Sequence, residues 1–294
     1  MRFYKLSGSG NDFLALPEPE TVPSPEEIRA WCRRGISLGA DGLIVIRPGS
    51  EVEMTYWNAD GYPADLCLNG TRCAARLAFD LGWGAPAASA ASDIPLAIRT
   101  DAGTWTARLL PGSRIALDLP FPEAPPRALT LEALGAPYEA WSITVGVPHL
   151  VLLWPESLAT VPIERLGPPL RRHPALGAPG ANVDFVRFPA EGGRHRMEIR
   201  TFERGVEGET LSCGTGVLAS AAVGLALGLA ELPLTVSTQS GFELEVSGSP
   251  PEGGAADTSP KSWSLIGDAR IVARGELLPD ADASPPAPPW GTGR

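Results

Sequence analysis

Short apolar runs alternate with polar and glycine-rich segments along most of the chain, a pattern that predicts many short strands and few helices. Residues 3–16 predict two strands joined by a glycine-rich turn. Ser24, followed by Pro25 and two acidic residues, predicts a helix start. A second short helix is predicted at 162–170, and further strands at 43–46, 51–57, 96–99, 104–110, 115–119, 141–154, 183–188, 196–202, 234–237, 242–246 and 264–273.

Two segments that begin with cysteine interrupt the strand pattern, and each leads into a stretch rich in small residues. Cys67 opens a turn that runs into a predicted helix ending near Leu81, and Cys213 does the same 146 positions later, ending near Leu227. Because a helix N-terminus favours negative charge, we expect the pKa of both thiols to be lowered. If two such thiols lie on either side of one bound molecule, one thiol would remove a proton from one face and the other would return a proton to the opposite face.

The cysteine turns are part of a longer internal repeat. Residues 8–13 correspond to 146–150, and residues 40–43 to 181–184. The offsets of 138, 141 and 146 keep the same order along both halves of the chain. Ordered matches of this kind predict a pseudo-twofold α/β architecture with two similar domains.

A stiff, proline-rich connector at 120–126 predicts the boundary between these domains. The first domain is predicted at 1–119, completed by a strand at 264–277, and the second at 120–263. Residues 248–262 have few apolar side chains and predict an inserted hairpin, and residues 279–294 predict a disordered tail.

Composition and charge narrow the functional classes. The net charge of −10 and the absence of a basic run argue against a nucleic-acid partner. The longest apolar stretch, 217–230, is too short to span a bilayer and predicts a buried helix, so no membrane association is expected. Four cysteines in 294 residues predict free thiols in a reducing, cytoplasmic setting rather than a disulfide framework.

The same composition argues against two common kinds of cofactor site. Only Lys5 and Lys261 are available for a Schiff base, and neither is placed in a predicted pocket, so pyridoxal phosphate is not expected. The cysteines lack the spacing of two to four residues that zinc sites use, so no metal is expected either.

Several polar residues near turns are candidates for substrate contacts, although each also has a structural explanation. His149 follows a repeated Gly-Val-Pro turn, and the Glu203–Arg204 pair precedes Cys213 by about ten residues. An acid beside a thiol assists proton transfer, whereas an exposed ion pair contributes little. Asn11, Asn58 and Asn182 occupy turns, where asparagine often only shapes the backbone. Asn69 and Thr215, at the two helix starts, would lie at carboxylate sites.

Together these motifs resemble the diaminopimelate epimerase family over about residues 3–275. The resemblance rests on Gly-Ser-Gly-Asn-Asp-Phe at 8–13, Gly-Ala-Asp-Gly at 39–42, Asn-Ala-Asp-Gly at 58–61 and Cys-Leu-Asn-Gly-Thr-Arg-Cys at 67–73. The second half adds Gly-Val-Pro-His at 146–149, Ala-Asn-Val at 181–183, Glu-Arg-Gly at 203–205 and Glu-Thr-Leu-Ser-Cys-Gly-Thr-Gly at 209–216.

This resemblance implies two similar α/β domains, each a small barrel of mixed strands around a central helix, with an amino-acid substrate bound between them. It implies a homodimer and a cofactor-independent epimerase of lysine and peptidoglycan biosynthesis, in which Cys67 and Cys213 are the acid–base pair. His149 and Glu203 would be their proton-handling neighbours. The implied substrate-binding residues are Asn11, Asn58, Leu68, Asn69, Asn182, Glu203, Arg204, Gly214 and Thr215.

The chain departs from the family pattern at three positions. Leu68 stands where glycine usually follows the first cysteine, Gly42 where glutamine is frequent, and Val147 where asparagine is usual. A side chain at Leu68 is expected to narrow the approach to the helix N-terminus. Two other functions therefore stay open: a related racemase for another amino acid such as histidine or glutamate, and a non-catalytic amino-acid-binding protein on the same scaffold.

Overall fold

The computed structural model describes residues 1–64, 66–83, 95–191, 193–248 and 262–282. Within them the chain forms four α-helices and seventeen strands, which join into one mixed sheet. The helices are α1 (Pro25–Cys32), α2 (Leu68–Asp80), α3 (Ile163–Arg171) and α4 (Gly214–Ala226). The strands are β1 (Arg2–Gly8), β2 (Asn11–Pro17), β3 (Gly42–Arg47), β4 (Val52–Asn58), β5 (Leu96–Thr100), β6 (Gly103–Leu110), β7 (Arg114–Pro120), β8 (Arg127–Ala133), β9 (Ala136–Val145), β10 (Val147–Leu153), β11 (Asn182–Arg187), β12 (Arg196–Glu203), β13 (Gly208–Thr210), β14 (Leu234–Ser237), β15 (Glu243–Gly248), β16 (Ser262–Asp268) and β17 (Arg270–Glu276).

The start of α1 shows how closely local sequence determines an element here. The Glu27 N–H donates to the Ser24 hydroxyl at 3.3 Å, and the Ser24 N–H donates to the Glu27 carboxylate at 2.7 Å. This reciprocal cap contributes about 0.5–2 kcal/mol to helix stability. The helix buries Ile28 and Trp31 against the sheet, so the predicted helix start is confirmed.

The strand register repeats between the two halves of the chain. In the first half β2 runs parallel to β3 with Phe13 opposite Gly42, and β3 then pairs antiparallel with β4. In the second half β10 runs parallel to β11 with His149 opposite Asn182, and β11 pairs antiparallel with β12. In both halves a cysteine helix follows, which confirms the predicted mixed α/β fold with two similar halves.

The two cysteine helices are the central helices of these halves. α2 contacts strands β1 to β7, and α4 contacts strands β9 to β12. Every α4 residue from Gly214 to Gly224 is buried, which explains why this helix contains only small and apolar residues together with two hydroxyl-bearing ones. Each large apolar side chain that such a helix removes from water contributes about 1.5–3 kcal/mol, so packing rather than helix propensity holds these helices in place.

The end of the chain joins the two halves differently from the prediction. Residues 264–273 were expected to form one strand, but they divide between β16 and β17 at Ala269. β16 pairs with β7 of the first half and with β15 of the second, whereas β17 pairs with β1. The break at Ala269 lets the chain leave one set of strands and join another, and the Ala269 N–H donates to the Ser113 carbonyl.

Three further segments differ from the expectation or lie partly outside the described residues. β8 directly follows the proline-rich connector and pairs with β9 in a hairpin that the sequence pattern did not predict. The predicted tail begins with a 3₁₀ turn at Pro279–Asp282, whose Asp282 carboxylate accepts a hydrogen bond from the Trp31 indole at 2.6 Å. Residues 283–294 and most of the predicted insertion, 249–261, lie outside the described residues.

The domain division at residue 120 stays a prediction, because one hydrogen-bonded sheet runs through both halves. Within the described ranges, no helix is both long and apolar enough to cross a membrane.

Candidate active site

The starts of α2 and α4 meet where the two halves of the chain join. The Asn69 side-chain amide in the first turn of α2 donates to the Ser212 carbonyl, two residues before α4, at 3.2 Å. A Cβ atom added to Gly214, the first residue of α4, would lie only 3.0 Å from the Leu68 Cβ. The positive ends of two helix dipoles therefore point toward the same small region, which favours a bound carboxylate there.

The departure at Leu68 is accommodated by packing. Its side chain is 3% exposed and belongs to the apolar core rather than to an open approach. Gly214 provides the space that this side chain needs, since an added Cβ would also lie 3.2 Å from Leu265. The Leu68 backbone N–H at the start of α2 is the group that remains for a ligand.

Both cysteines occupy the N-cap positions of their helices, and local donors contact both thiols. The Gly70 N–H donates to the Cys67 sulfur at 3.4 Å. The Cys213 sulfur lies 3.4 Å from the Thr215 hydroxyl. The two cysteines thus occupy equivalent positions at the starts of their helices, but different groups contact their sulfur atoms.

The expected lowering of the thiol pKa values is wrong. Burial raises the pKa of Cys67 to about 12, and the Gly70 N–H and the Arg72 charge oppose that shift only in part. Burial also raises the pKa of Cys213 well above its usual value, and the Glu203 and Asp184 carboxylates add to this shift. Loss of solvation therefore outweighs the helix dipole, although Cys67 keeps more contact with solvent than the buried Cys213.

These shifts predict that the protein loses stability in alkaline solution. An unfolded cysteine ionises near its usual value of roughly 8.5, whereas folded Cys67 keeps its proton up to a pKa of about 12. Between these values the unfolded state binds fewer protons, so each such thiol lowers the free energy of unfolding by about 1.4 kcal/mol per pH unit. Urea denaturation between pH 7 and pH 10.5 measures this slope. A Cys67→Ala variant with the same slope as the wild type would contradict the shift.

His149 lies in a buried hydrogen-bonded group beneath α4. Its Nδ1 lies 2.7 Å from Asp184 Oδ2, and both side chains are fully buried. The other carboxylate oxygen, Oδ1, accepts from the Thr201 hydroxyl at 2.7 Å. A Cβ atom added to Gly216 would lie 2.5 Å from the same Oδ1, so this carboxylate packs directly against the first turn of the Cys213 helix.

The neighbours of His149 determine its tautomer. The Arg204 N–H donates to Asn182 Oδ1 at 2.8 Å, which turns the Asn182 amide nitrogen toward His149 Nε2, 3.5 Å away. Nε2 is therefore the acceptor, and Nδ1 carries the proton that is donated to Asp184. The imidazole is held in one orientation beneath the Cys213 helix.

The corresponding positions in the first half are apolar. By strand register Phe13 takes the place of His149, and Ile44 takes the place of Asp184, one residue beyond the Leu43–Asp184 match expected from the sequence repeat. A Cβ atom added to Gly70 of α2 would meet the Ile44 side chain at 3.4 Å, as one added to Gly216 of α4 would meet Asp184. The two thiols therefore have unequal surroundings, and only Cys213 has an imidazole–carboxylate pair beneath its helix.

Glu203 is the group whose charge reaches both thiols. Its negative charge raises the pKa of Cys67 and of Cys213. Burial raises the pKa of Glu203 itself. A largely enclosed acid whose charge acts on both thiols, with its own pKa raised, is a candidate for proton exchange with them.

The predicted asparagines are placed differently from one another. Asn11 and Asn69 lie at the junction of the helix starts, joined by a hydrogen bond of 2.7 Å from Asn69 Nδ2 to Asn11 Oδ1. Asn182 lies beside His149, as described above. Asn58 is the exposed last residue of β4 opposite Gly42, and its N–H donates to the Tyr62 carbonyl.

Tyr56 is a residue of this region that the sequence pattern did not identify. A Cβ atom added to Gly42 would lie 2.6 Å from the Tyr56 ring and 2.9 Å from its hydroxyl. The tyrosine thus occupies the space where a longer side chain at position 42 would project. Burial raises the pKa of Tyr56, and the charges of Cys67, Asp41 and Glu203 add to the shift, which places its hydroxyl among the groups of the site.

Asp41, Asp184 and Arg72 were also missed as site residues. Asp184 was detectable in principle, because alternation along a strand puts it on the same face as Asn182. Among the residues that the structure describes, no group of three or more His, Cys, Asp or Glu side chains could hold a metal ion.

Comparison with known proteins gives one consistent family. Residues 3–108 and 141–260 match the family model described as diaminopimelate epimerase. A diaminopimelate epimerase from Gemmatimonas aurantiaca is 39% identical over 288 residues, which cover 94% of this chain and 99% of the relative. A diaminopimelate epimerase from Methanothrix thermoacetophila is 36% identical over 257 residues, covering 82% and 87% of the two chains.

Solved structures show the same fold at much lower sequence identity. A probable proline racemase from Agrobacterium radiobacter, with bound carbonate, superposes with a TM-score of 0.68 at 15% identity over 96% of this chain and 95% of that one. A hydroxyproline epimerase from Agrobacterium vitis, with bound trans-4-hydroxy-L-proline, has a TM-score of 0.65 at 14% identity, with 99% and 96% coverage.

Proposed function

The chain belongs to the diaminopimelate epimerase family, and we propose that it interconverts LL- and meso-diaminopimelate through Cys67 and Cys213. It is an amino-acid epimerase that acts on a small-molecule substrate. The observation that carries the two-thiol mechanism is the meeting of two helix starts, each with a cysteine at its N-cap.

In the proposed reaction one sulfur takes the α-proton as a thiolate, so that an S–H bond forms while the C–H bond breaks. The electron pair passes into the substrate carboxylate, and the other thiol then gives its proton to the opposite face of the α-carbon. Backbone N–H groups at the two helix starts stabilise the charge that develops on the carboxylate. After one turnover the two sulfurs have exchanged protonation states, and proton exchange with solvent restores the starting form.

Ionisation of one thiol is the costly step in this mechanism, because both thiols are neutral in their enclosed surroundings. The α-ammonium group of a bound amino acid supplies positive charge next to the sulfur and lowers the cost of the thiolate. Glu203 and His149 are proposed to handle the displaced proton, since the charge of Glu203 reaches both thiols and His149 holds a fixed tautomer.

The remaining predicted residues are proposed to hold the substrate. The helix starts, with Leu68, Asn69, Gly214 and Thr215, would bind the reacting carboxylate through backbone N–H groups, and side chains of the two halves would bind the polar groups of the substrate. These residues are Asn11, Asn58, Leu68, Asn69, Asn182, Arg204, Gly214 and Thr215.

A substrate panel in heavy water tests the proposal. LL-diaminopimelate, L-histidine and L-glutamate are each incubated with the enzyme, and inversion is measured by circular dichroism while deuterium at the α-carbon is measured by NMR. We expect inversion with deuterium uptake for diaminopimelate, and turnover at least about 10³-fold slower for the other two, because a site built to bind a second polar end rejects substrates that lack it. Comparable turnover of histidine or glutamate would refute the assignment of substrate.

We also propose that the protein works as a homodimer in the cytoplasm. The four free cysteines agree with a reducing compartment, and the exposed side chains of Val272 on β17 and Leu278 just beyond it offer apolar surface that a second subunit would cover.

A further inference from the structure

A chain of hydrogen bonds connects a buried arginine to an aspartate at the junction of the two cysteine helices. Arg72 Nη2 donates to Asn69 Oδ1 at 2.8 Å, and Asn69 Nδ2 donates to Asn11 Oδ1 at 2.7 Å. Asn11 Nδ2 then donates to Asp41 Oδ2 at 2.9 Å. Asn69 Nδ2 also donates to the Ser212 carbonyl at 3.2 Å, so the chain includes a contact between the two cysteine turns.

The two charged ends of this chain determine its direction. A guanidinium group can only donate hydrogen bonds, and a carboxylate can only accept them. Asn69 must therefore turn its carbonyl oxygen toward Arg72, and Asn11 must turn its amide nitrogen toward Asp41. Neither amide can rotate by 180° without placing two donors or two acceptors against each other.

Both ends are held firmly by other groups. Arg72 is fully buried, and its Nη2 also donates to the Ser9 hydroxyl at 2.8 Å. That hydroxyl and the Ser9 N–H both donate to Asp268 Oδ1, at 3.0 Å and 2.8 Å. At the other end Arg34 Nη2 donates to Asp41 Oδ1 at 2.8 Å.

The burial of Arg72 is not explained by a contribution to folding stability. Its Nε and Nη1 atoms have no hydrogen-bond partner among the described residues, and leaving buried donors of a charged group unpaired is unfavourable. A well-packed apolar side chain at this position would stabilise the fold at least as well. A donor at this position supplies what an apolar side chain cannot: the direction of the amide chain and a hydrogen bond to Ser9.

The direction of the hydrogen-bond chain leaves different groups of Asn69 and Asn11 available for a substrate. Both amide hydrogens of Asn69 and its carbonyl are engaged within the protein, so its side chain has no donor left for a substrate. Asn11 uses its carbonyl and one of its two amide hydrogens, and its second N–H has no acceptor among the residues that the structure describes. A free donor beside two helix N-termini is suited to a carboxylate oxygen.

We propose that Arg72 and Asp41 are positioning residues that fix the orientation of Asn69 and Asn11. Asn69 then ties the two cysteine turns together, and Asn11 presents a single N–H to the substrate carboxylate. This inference rests on the proposed epimerase function and refines the earlier expectation that both asparagines hold the substrate.

The first test compares Arg72→Met, which removes the donor, with Arg72→Lys, which keeps one. Arg76→Met is the matched control, because Arg76 lies one turn further along α2 and donates to the Ala269 carbonyl, at 3.4 Å, outside the chain of amides. We expect Arg72→Met to raise KM for diaminopimelate about tenfold or more, as loss of one hydrogen bond to a charged group does. Arg72→Lys recovers most of this effect, and the control leaves KM unchanged.

A second test uses Asp41→Asn, whose result can be interpreted even if Arg72→Met does not fold. The new amide can offer either a donor or an acceptor, so Asn11 becomes free to turn its oxygen toward the substrate, and we expect KM to rise severalfold with a smaller change in kcat. Wild-type KM in both Arg72→Met and Asp41→Asn, with intact circular dichroism, would overturn the inference.

Side-chain amide exchange measured by NMR separates this inference from the proposed function. In the unliganded protein we expect both Asn69 side-chain hydrogens to exchange slowly, and to exchange at least tenfold faster in Arg72→Met. This readout needs no substrate. If the wild-type protein fails to epimerise diaminopimelate while Asn69 shows this protection, the proposed function fails alone. Fast exchange of Asn69 in the wild-type protein would overturn the inference whatever the activity.

Discussion

Cys213→Ala is expected to abolish inversion of diaminopimelate while leaving hydrogen exchange at the α-carbon of one stereoisomer. The remaining thiol, Cys67, can still remove the proton that faces it and return a solvent-derived one to the same face. It cannot deliver a proton to the opposite face, which the missing thiol served. Because general acid–base catalysis contributes about 10²–10⁴-fold per group, we expect inversion to fall by about 10³-fold or more. Cys67→Ala should show the mirror result, with exchange confined to the other stereoisomer.

The measurement is NMR of deuterium incorporation starting separately from the LL and meso forms, beside circular dichroism for inversion. Cys32→Ala is the control, since Cys32 is a buried free cysteine of α1 within a separate apolar cluster. That variant should invert at the wild-type rate. Exchange of the same stereoisomer by both active-site variants would exclude a mechanism with one thiol on each face.

The sequence predicts the halves of this fold better than their junction. The existence of strands β2, β3, β10 and β11 follows from short apolar runs and from turn residues, so the repeat was visible without a structure. The division of the last strands at Ala269 was not visible, because it depends on which half of the sheet each segment pairs with. Pairing of distant strands leaves little trace in a local pattern.

The candidate site shows the same division between local and tertiary effects. The cysteines and their helix starts were recognisable from sequence because an N-cap is a local feature. The direction of the thiol pKa shift was not, since it depends on how completely surrounding strands exclude water from Cys67 and Cys213. Asn69 appeared as a substrate ligand in the sequence, but its hydrogen bonds to Arg72 and Ser212 exist only once both helices are packed.

His149 and Asp184 in the second half of the chain have apolar counterparts in the first half, so the surroundings of Cys213 differ chemically from those of Cys67. Phe13 and Ile44 have no ionisable group at the equivalent positions. A proton that leaves Cys67 therefore finds no imidazole beneath α2. The pseudo-symmetry of the fold therefore does not extend to proton handling. This asymmetry identifies Asp184 as the residue whose replacement tests the role of the imidazole without removing it.

Asp184→Asn is expected to lower kcat about 10- to 100-fold with little change in KM, the size of effect seen when a hydrogen-bond partner of a functional histidine is removed. The asparagine keeps the shape of the carboxylate, but its amide nitrogen can donate to His149 Nδ1. That would move the ring proton to Nε2, which the Asn182 amide approaches as a donor, and the imidazole would be held in the wrong tautomer or displaced.

Nitrogen NMR of the imidazole reports the tautomer directly, and steady-state kinetics in both reaction directions report the cost. Thr201→Val is the matched control, because it removes the other hydrogen bond to the same carboxylate and leaves the bond to His149 in place. We expect that variant to keep the Nδ1–H tautomer and to lose less than about threefold in kcat. If Asp184→Asn also keeps the Nδ1–H tautomer and the wild-type rate, then the carboxylate beneath the Cys213 helix has no part in proton transfer.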